Sequence, residues 1–263
     1  MLEQITPLIL TWNEQPNLQR VLARLVWARR VVVLDSYSSD ATLEIARSFG
    51  NVEVYSRSFD SHSAQWNHGL THCGIDTTWV LALDADYLVP EALVSEMASL
   101  TPAEKDSGFQ ARFRYCVHGK PLSGSLYPPV TVLYRRERAT YGQDGHTQRL
   151  RLNGEVQALL ARIDHDDRKP LSRWLNSQEK YASLEADMLL GAHWSSLRWQ
   201  DRLRTLLVVT PWLAPLYSLT VGRGIFHGRA GVYYALQRAV AEAVLSLKLI
   251  EARWLHPKMD DNE

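Results

Sequence analysis

The first hundred residues alternate between short β-branched runs and stretches with helical spacing, and this alternation narrows the possible folds most. Ile5 to Thr11, Val31 to Leu34, Asn51 to Tyr55 and Thr78 to Leu83 read as strands. Pro16 to Trp27, the segment from Asp40 to Gly50, and Ser63 to Cys73 carry apolar residues at helical intervals. Asp40 suits the N-cap of its helix, with Glu44 in the first turn. Strands alternating with helices predict a parallel sheet covered on both faces. The strands run into polar residues: Thr11-Trp12-Asn13-Glu14, Asp35-Ser36, and Asp84-Ala85-Asp86. In open α/β sheets ligands bind outside the carboxyl ends of strands, so three polar ends at one edge predict a site by topology alone.

Residues 109–163 change character. Alternation in Phe109–Val117, Val130–Tyr134, Thr147–Leu152 and Val156–Ile163 predicts antiparallel strands and hairpins, punctuated by glycines and by Pro128 and Pro129. Leu171 to Leu190 predicts a long helix. The division expected is one α/β domain over residues 1–190 and a helical region over 191–263. With 263 residues the chain is large enough to bury a core without staples, and Cys73 and Cys116 read as buried thiols of a reducing cytoplasm. The N-terminal residues have no basic region or small-residue cleavage site, so folding is expected to start near residue 4, inside the cell. The 29 basic and 29 acidic side chains balance, which argues against nucleic acid as a partner.

Two carboxylates two residues apart after a buried strand can face one hard cation. Mg²⁺ and Mn²⁺ take oxygen ligands and often share them with substrate phosphates, so Asp84 and Asp86 are candidate metal ligands. Asp35 at a strand end, followed by hydroxyl side chains, suits a base or ribose, while Asp40 reads as a helix cap. Neither GxGxxG nor a P-loop is present, which disfavours dinucleotide and P-loop NTPase readings.

The stretches LILTWNEQPNLQRVLARL, VVVLDSYSSDATLEIA, SAQWNHGL and WVLALDADYLVP resemble the family 2 glycosyltransferases of GT-A fold, and most of all their lipopolysaccharide-core and polysaccharide members. The resemblance covers roughly residues 4–190. It implies a Rossmann-like mixed sheet in the α/β class, and inverting, metal-dependent transfer of a sugar from a nucleoside diphosphate sugar, with UDP the expected nucleotide. Carried over by position, Thr11, Asn13 and Glu14 line the nucleotide pocket and Asp35 contacts the base. Gln65 and Asn67 approach ribose, diphosphate or donor sugar, and Asp84 and Asp86 hold Mn²⁺ or Mg²⁺. The chain departs from its relatives at Tyr87, where many carry Glu, at Trp66, where many carry Lys or Arg, and at Gln148 after His146-Thr147, where many carry a His-Glu pair.

Inverting transfer needs a base at the acceptor hydroxyl. Asp144, flanked by Gly142 and Gly145, is the candidate, with His146 the alternative and a plain turn the blander reading. His165 is expected near the metal or diphosphate. Arg168 and Lys169 would offset diphosphate charge, and Asp166 or Asp167 would cap the Leu171 helix. Arg112, Arg114 and Tyr127 are candidates for acceptor or pyrophosphate, with plain surface charge the blander reading.

The tail carries a second signal. Thr205 to Gly222 holds no charged residue but contains Pro211 and Pro215, which suits an interfacial or re-entrant element better than a span. Nine Lys or Arg stand against three Asp or Glu from Ser195 to Lys258, with Trp194, Trp199, Trp212 and Trp254 among them. Leu236, Ala239, Val240, Ala243, Val244, Leu247 and Ile250 form an apolar stripe on the last helix, which packs on the protein, joins a second copy, or meets a membrane. The expected reading is an amphipathic helical membrane-associating region that meets a lipid-linked glycan acceptor at the cytoplasmic face of the membrane. Two other readings stand beside it: a sugar nucleotidyltransferase, which should carry a Gly-rich phosphate loop near the N-terminus, and an inactive scaffold.

Overall fold

A computed structural model of the chain describes residues 1–124, 127–144 and 147–255, the side chains of residues 143, 144, 147 and 148 excepted. It divides into two compact units. The first comprises Met1–Pro121 and Leu126–Lys169, and the second comprises Leu122–Ser125 and Pro170–Glu263.

In unit 1, β1 (Ile5–Thr11), β2 (Val31–Asp35), β3 (Val52–Ser56) and β4 (Trp79–Asp84) pair in parallel in the order β3-β2-β1-β4. Successive residues point to opposite faces, and both faces are buried. Val31, Val33, Trp79, Leu81 and Leu83 enter one core with Leu18, Val21 and Leu22 of α1 (Leu18–Leu22), Ala46 of α2 (Thr42–Arg47), and Leu93 and Met97 of α4 (Glu91–Ser99). Val32, Leu34, Val80 and Ala82 enter the other with Trp66 and Leu70 of α3 (His62–His72). Helix α1 is shorter than its periodicity predicts. The amide of Asn51 donates to the Leu25 and Ala28 carbonyls, so the chain beyond α1 finds its partner outside the helix. Asp40 does not occupy the N-cap position of α2, which falls to Ala41, but its carboxylate still accepts from the Thr42 N–H at 3.0 Å.

Directly after β4 the chain forms β5 (Tyr87–Leu88), at the far edge of the sheet. The remaining strands are β6 (Asp106–Val117), β7 (Lys120–Pro121), β8 (Val130–Arg135) and β11 (Glu155–His165), and among the described residues the sheet has nine strands in the order β3-β2-β1-β4-β8-β6-β11-β5, with β7 on β6. Between β8 and β11, β9 (Ala139–Asp144) and β10 (Thr147–Leu152) form a separate antiparallel hairpin.

The expected antiparallel arrangement holds for β8 against β4 and β6, but β11 runs parallel to β6. The off-sheet hairpin returns the chain to the start of β6, where Ser107 Oγ donates to the Asn153 carbonyl at 2.6 Å. Gly154 makes that approach possible, since it has φ +130° and a Cβ there would lie 2.0 Å from Ser107 Oγ.

Unit 2 contains α5 (Leu171–Gly191), α6 (Trp199–Arg204), α7 (Thr210–Leu219) and α8 (Arg229–Leu255). The boundary expected at 190/191 lies at 169/170, because α5 buries Ala182, Ala186 and Leu189 against Leu245 and Leu249 of α8. The apolar stripe of α8 does not face inward: Leu236, Val240 and Leu247 are exposed, and the helix buries Ala230, Tyr234, Ala235, Leu245 and Leu249. No helix among the described residues is long and apolar enough to cross a membrane.

Leu81 is fully buried in the middle of β4, three residues before Asp84. Leu81→Ala should cost about 2–5 kcal/mol by leaving a cavity, measured by denaturant unfolding.

Candidate active site

The polar ends of β1, β2 and β4 meet at one edge because these strands are parallel and in register, with Thr11 beside Asp35 and Leu10 beside Asp84. Asp35 is completely buried. One carboxylate oxygen accepts from Thr11 Oγ1 at 2.8 Å and from Ser38 Oγ at 2.5 Å, and the other from the Ser38 N–H at 2.7 Å. Asp35 therefore builds the floor of the loop Ser36–Ser39, with three hydrogen bonds on its two carboxylate oxygens. Asn13 joins the same loop, its N–H donating to Ser38 Oγ and its side-chain oxygen accepting from the Ser39 N–H, both at 2.7 Å. Asn13 and Tyr37 both hold left-handed backbone, φ +55° and +59°, which turns the two strand ends sharply. Trp12 and Tyr37 are exposed beside them, and Tyr37 was not among the residues singled out in the sequence.

The Asp84-Ala85-Asp86 turn joins β4 to β5, and β5 pairs with the end of β11 with Tyr87 opposite His165. The Asp166 N–H donates to the Asp86 carbonyl at 3.0 Å, and His165 Nε2 lies 3.3 Å from Asp86 Oδ2. Thus Asp86 and His165 meet as expected, although 79 residues separate them. Burial alone would raise the Asp86 pKa, but His165 and Lys169 outweigh it and hold the carboxyl below its usual range. Burial alone would lower the His165 pKa, but Asp86 and Asp84 outweigh it and hold the imidazole above its usual range. Asp84 reaches solvent, yet desolvation by its surroundings and then the Asp86 charge raise its pKa. An aromatic box fixes the imidazole: the ring centroids of Tyr127, Tyr115 and Tyr87 lie 4.7, 5.1 and 5.5 Å from it. Tyr87, where relatives carry Glu, is buried in this box with its hydroxyl on that of Tyr127.

The fit to a divalent cation rests on two buried atoms. Asp86 Oδ1 and His165 Nδ1 have no hydrogen-bond partner among the described residues. A buried carboxylate oxygen without a donor is costly unless a cation or an ordered water completes it. Among the described residues, however, no group of three His, Cys, Asp or Glu is arranged to hold a metal by itself. The set suits Mg²⁺ or Mn²⁺, which take one or two carboxylates and draw other ligands from phosphate and water.

Several residues expected to touch the donor are engaged by the protein instead. Glu14 is buried, with Oε1 2.9 Å from Lys169 Nζ and Oε2 accepting from Asn17 Nδ2 at 3.0 Å. Asn17 also donates to Asp167 Oδ1 at 2.8 Å, which ties the end of β1 to the end of β11. Arg168 pairs with Asp166 at 2.8 Å, and Arg20 pairs with that same carboxylate at 2.8 Å. Asp166 and Asp167 do not cap α5, whose N-cap is Pro170. Arg114 pairs with Asp164 at 2.6 Å.

Gln65 is completely buried and donates to Ser36 Oγ at 3.0 Å and the Arg57 carbonyl at 3.2 Å, holding α3 to the ends of β2 and β3. Asn67 forms a two-point clamp on Tyr141, accepting from its N–H at 2.9 Å and donating to its carbonyl at 2.8 Å. It thereby positions the hairpin that carries the expected base. Trp66 stacks on Tyr141 with centroids 5.5 Å apart, inside the core. Asp144 closes β9 opposite Thr147, its side chain lying outside the described residues, and His146 lies wholly outside them.

Residues 8–149, over half of the chain, match the Glycosyl transferase family 2 profile. The chain belongs to glycosyl transferase family 2. The nine-stranded sheet, with its acidic turn at the end of β4, is the GT-A fold of this transferase. No curated protein matches its sequence. Solved structures similar to it include S. aureus TarS 1–349 in complex with UDP, at 14% identity over 98% of this chain and 93% of that one, with a TM-score of 0.48. Another is the glucosyl-3-phosphoglycerate synthase of Mycobacterium tuberculosis in complex with Mn²⁺, UDP and phosphoglyceric acid, at 15% identity over 68% of this chain and 76% of that one, with a TM-score of 0.43.

The Glu14 carboxyl yields a pH test. Desolvation by burial raises its pKa from 4.5 to about 7 against the opposing pull of Lys169. A carboxyl raised on folding stabilises the native state while protonated, and that contribution disappears as pH rises through the folded pKa. Between about pH 4.5 and 7 the wild-type transferase should lose up to about 3 kcal/mol from this group. Glu14→Gln should remove that part of the slope, read from denaturant melts at pH 4.5 and 7.5.

Proposed function

We propose that this transferase moves a sugar, with inversion at the anomeric carbon, from a nucleoside diphosphate sugar, most simply a UDP-sugar, to a hydroxyl of a lipid-linked glycan. The observation that carries the reading is the unpartnered Asp86 Oδ1 beside His165, at the carboxyl edge of the parallel strands. Asp86 and Asp84, with His165 at their side, would hold Mn²⁺ or Mg²⁺. When bound, that ion neutralises the diphosphate and stabilises it as a leaving group. The loop built on Asp35, Ser38 and Asn13 would receive the nucleoside, with the exposed rings of Trp12 and Tyr37 offering faces to the base. On the β9–β10 hairpin, Asp144, or His146 in its place, would take the acceptor proton. The hydroxyl oxygen bonds to the anomeric carbon from one face while the bond to the diphosphate oxygen breaks on the other, its electron pair leaving with the nucleoside diphosphate.

The apolar, basic tail supports a membrane role for unit 2 at the cytoplasmic face, where a lipid-linked acceptor would be presented. This places the enzyme in the assembly of cell-envelope polysaccharide or glycolipid.

Calorimetric titration of UDP should show binding tightened at least about tenfold by MnCl₂, the equivalent of about 1.4 kcal/mol. Asp86→Ala should abolish that increment, and an equal Mn²⁺ effect on wild type and variant would remove the metal assignment. Asp144→Asn should keep UDP affinity and lower kcat by about 10²–10⁴-fold. A comparable loss in His146→Gln, with Asp144→Asn nearly unaffected, would move the base to His146.

A further inference from the structure

Unit 2 is packed inside out where its sequence carries least charge. Between Arg204 and Arg238 the only charged side chains are Arg223 and Arg229. Here α7, a 3-10 turn over Gly224–His227 and the start of α8 form a helical hairpin. It buries Thr210, Ser218, Gly224, Ala230, Gly231 and Ala235, all small or hydroxylated, with Tyr234 the one large side chain among them. It exposes large apolar side chains, with Trp212 78% and Phe226 82% exposed and Leu216, Val221 and Ile225 outside as well. A helix that packs in water shows the reverse arrangement.

The small residues are required by the close approach of the backbones. A Cβ on Gly231 would lie 1.8 Å from the Gly224 carbonyl oxygen, and one on Gly224 would lie 2.6 Å from that of Ser218. Helices pack in this way in lipid, where large apolar side chains gain nothing by turning inward and small ones let backbones meet. Two hydroxyls follow the same rule, while the buried Thr210 Oγ1 has no hydrogen-bond partner among the described residues. Ser218 Oγ donates to the Ala214 carbonyl and Thr220 Oγ1 to that of Leu216, both at 2.7 Å, so neither needs water. Length sets the depth. The 10 residues of α7 make a rod of about 15 Å, half of the roughly 30 Å hydrocarbon core, so α7 fits within one leaflet at any tilt.

We propose that this hairpin is immersed in one leaflet of an anionic bilayer, with its exposed apolar residues among the acyl chains and the exposed Arg223 and Arg229 at the phosphate headgroups. The inference rests on the reading of unit 2 as a membrane platform and goes past it by specifying immersion in place of adsorption. A second copy of the chain is the rival occupant. The exposed residues lie on α7, on the turn and, through Leu236, on α8, which suits a fluid phase better than one facing surface.

Both native thiols, Cys73 and Cys116, are buried, so a single introduced cysteine can be labelled. The full chain carrying Phe226→Cys or Leu216→Cys with a polarity-sensitive fluorophore is mixed with vesicles of phosphatidylethanolamine and phosphatidylglycerol brominated along the acyl chains. Expected are a blue shift and at least twofold quenching at both positions, with neither at an Arg47→Cys control on the exposed side of α2. Labels that stay water-exposed while the protein floats with the vesicles would overturn immersion and leave the platform standing. Failure to float would overturn both. A concentration-dependent blue shift without vesicles would overturn the proposal in favour of a second copy. The double variant Leu216→Glu, Phe226→Glu should melt like wild type and float at least tenfold less; undiminished flotation would overturn immersion.

Discussion

The two-residue pairing of β5 with the end of β11 is the constraint on which the candidate site depends. Without it Asp86 would be the second carboxylate of an exposed turn. With it, the Asp86 carbonyl accepts from Asp166, its carboxylate meets His165, and three tyrosine rings hold the imidazole in place. The same segment carries Asp167 and Lys169 back to Asn17 and Glu14, and Asp166 back to Arg20. One antiparallel contact at the sheet edge thus joins the ends of β1, β4 and β11 into a single charged cluster.

Burial makes that cluster consequential. In water the Asp86–His165 pair would be a weak, screened contact. Away from bulk solvent each partner favours the charged form of the other, so both pKa values move in the direction that keeps the pair ionised. Glu14 lies on the other side of the balance, because desolvation exceeds what Lys169 returns. The carboxylate oxygen of Asp86 that has no partner among the described residues is where a cation would lower the energy of the folded state.

Much of the architecture was legible in the sequence. The period of the apolar residues marked β1 to β4, α2 and α3, and the polar strand ends marked the edge at which they meet. The misreadings have local causes. Helix α1 stops early because Asn51 takes the carbonyls that follow it. Strand β11 runs parallel to β6 because the β9–β10 hairpin stands off the sheet and returns the chain to where β6 began. Asn67 looked like a donor ligand because a short polar side chain on α3 near the cleft has the same appearance whether it holds substrate or the Tyr141 backbone.

The sequence by itself determined which chemistry the chain can bring to its strand ends: a DxD turn, hydroxyls after Asp35, and a tail with almost no charge from Thr205 to Gln237. These follow from residue type and short-range periodicity. The tertiary structure alone decided which polar groups stay available, since a hydrogen-bonding side chain is used up by partners that can be 150 residues away, as Asn17 is by Asp167. It also decided which face of α7 and α8 turns inward. Helical periodicity alone does not say whether the apolar or the small-residue stripe is packed. The close backbone contact through Gly224 and Gly231 settles that choice, since large side chains do not fit between the backbones there and remain outside.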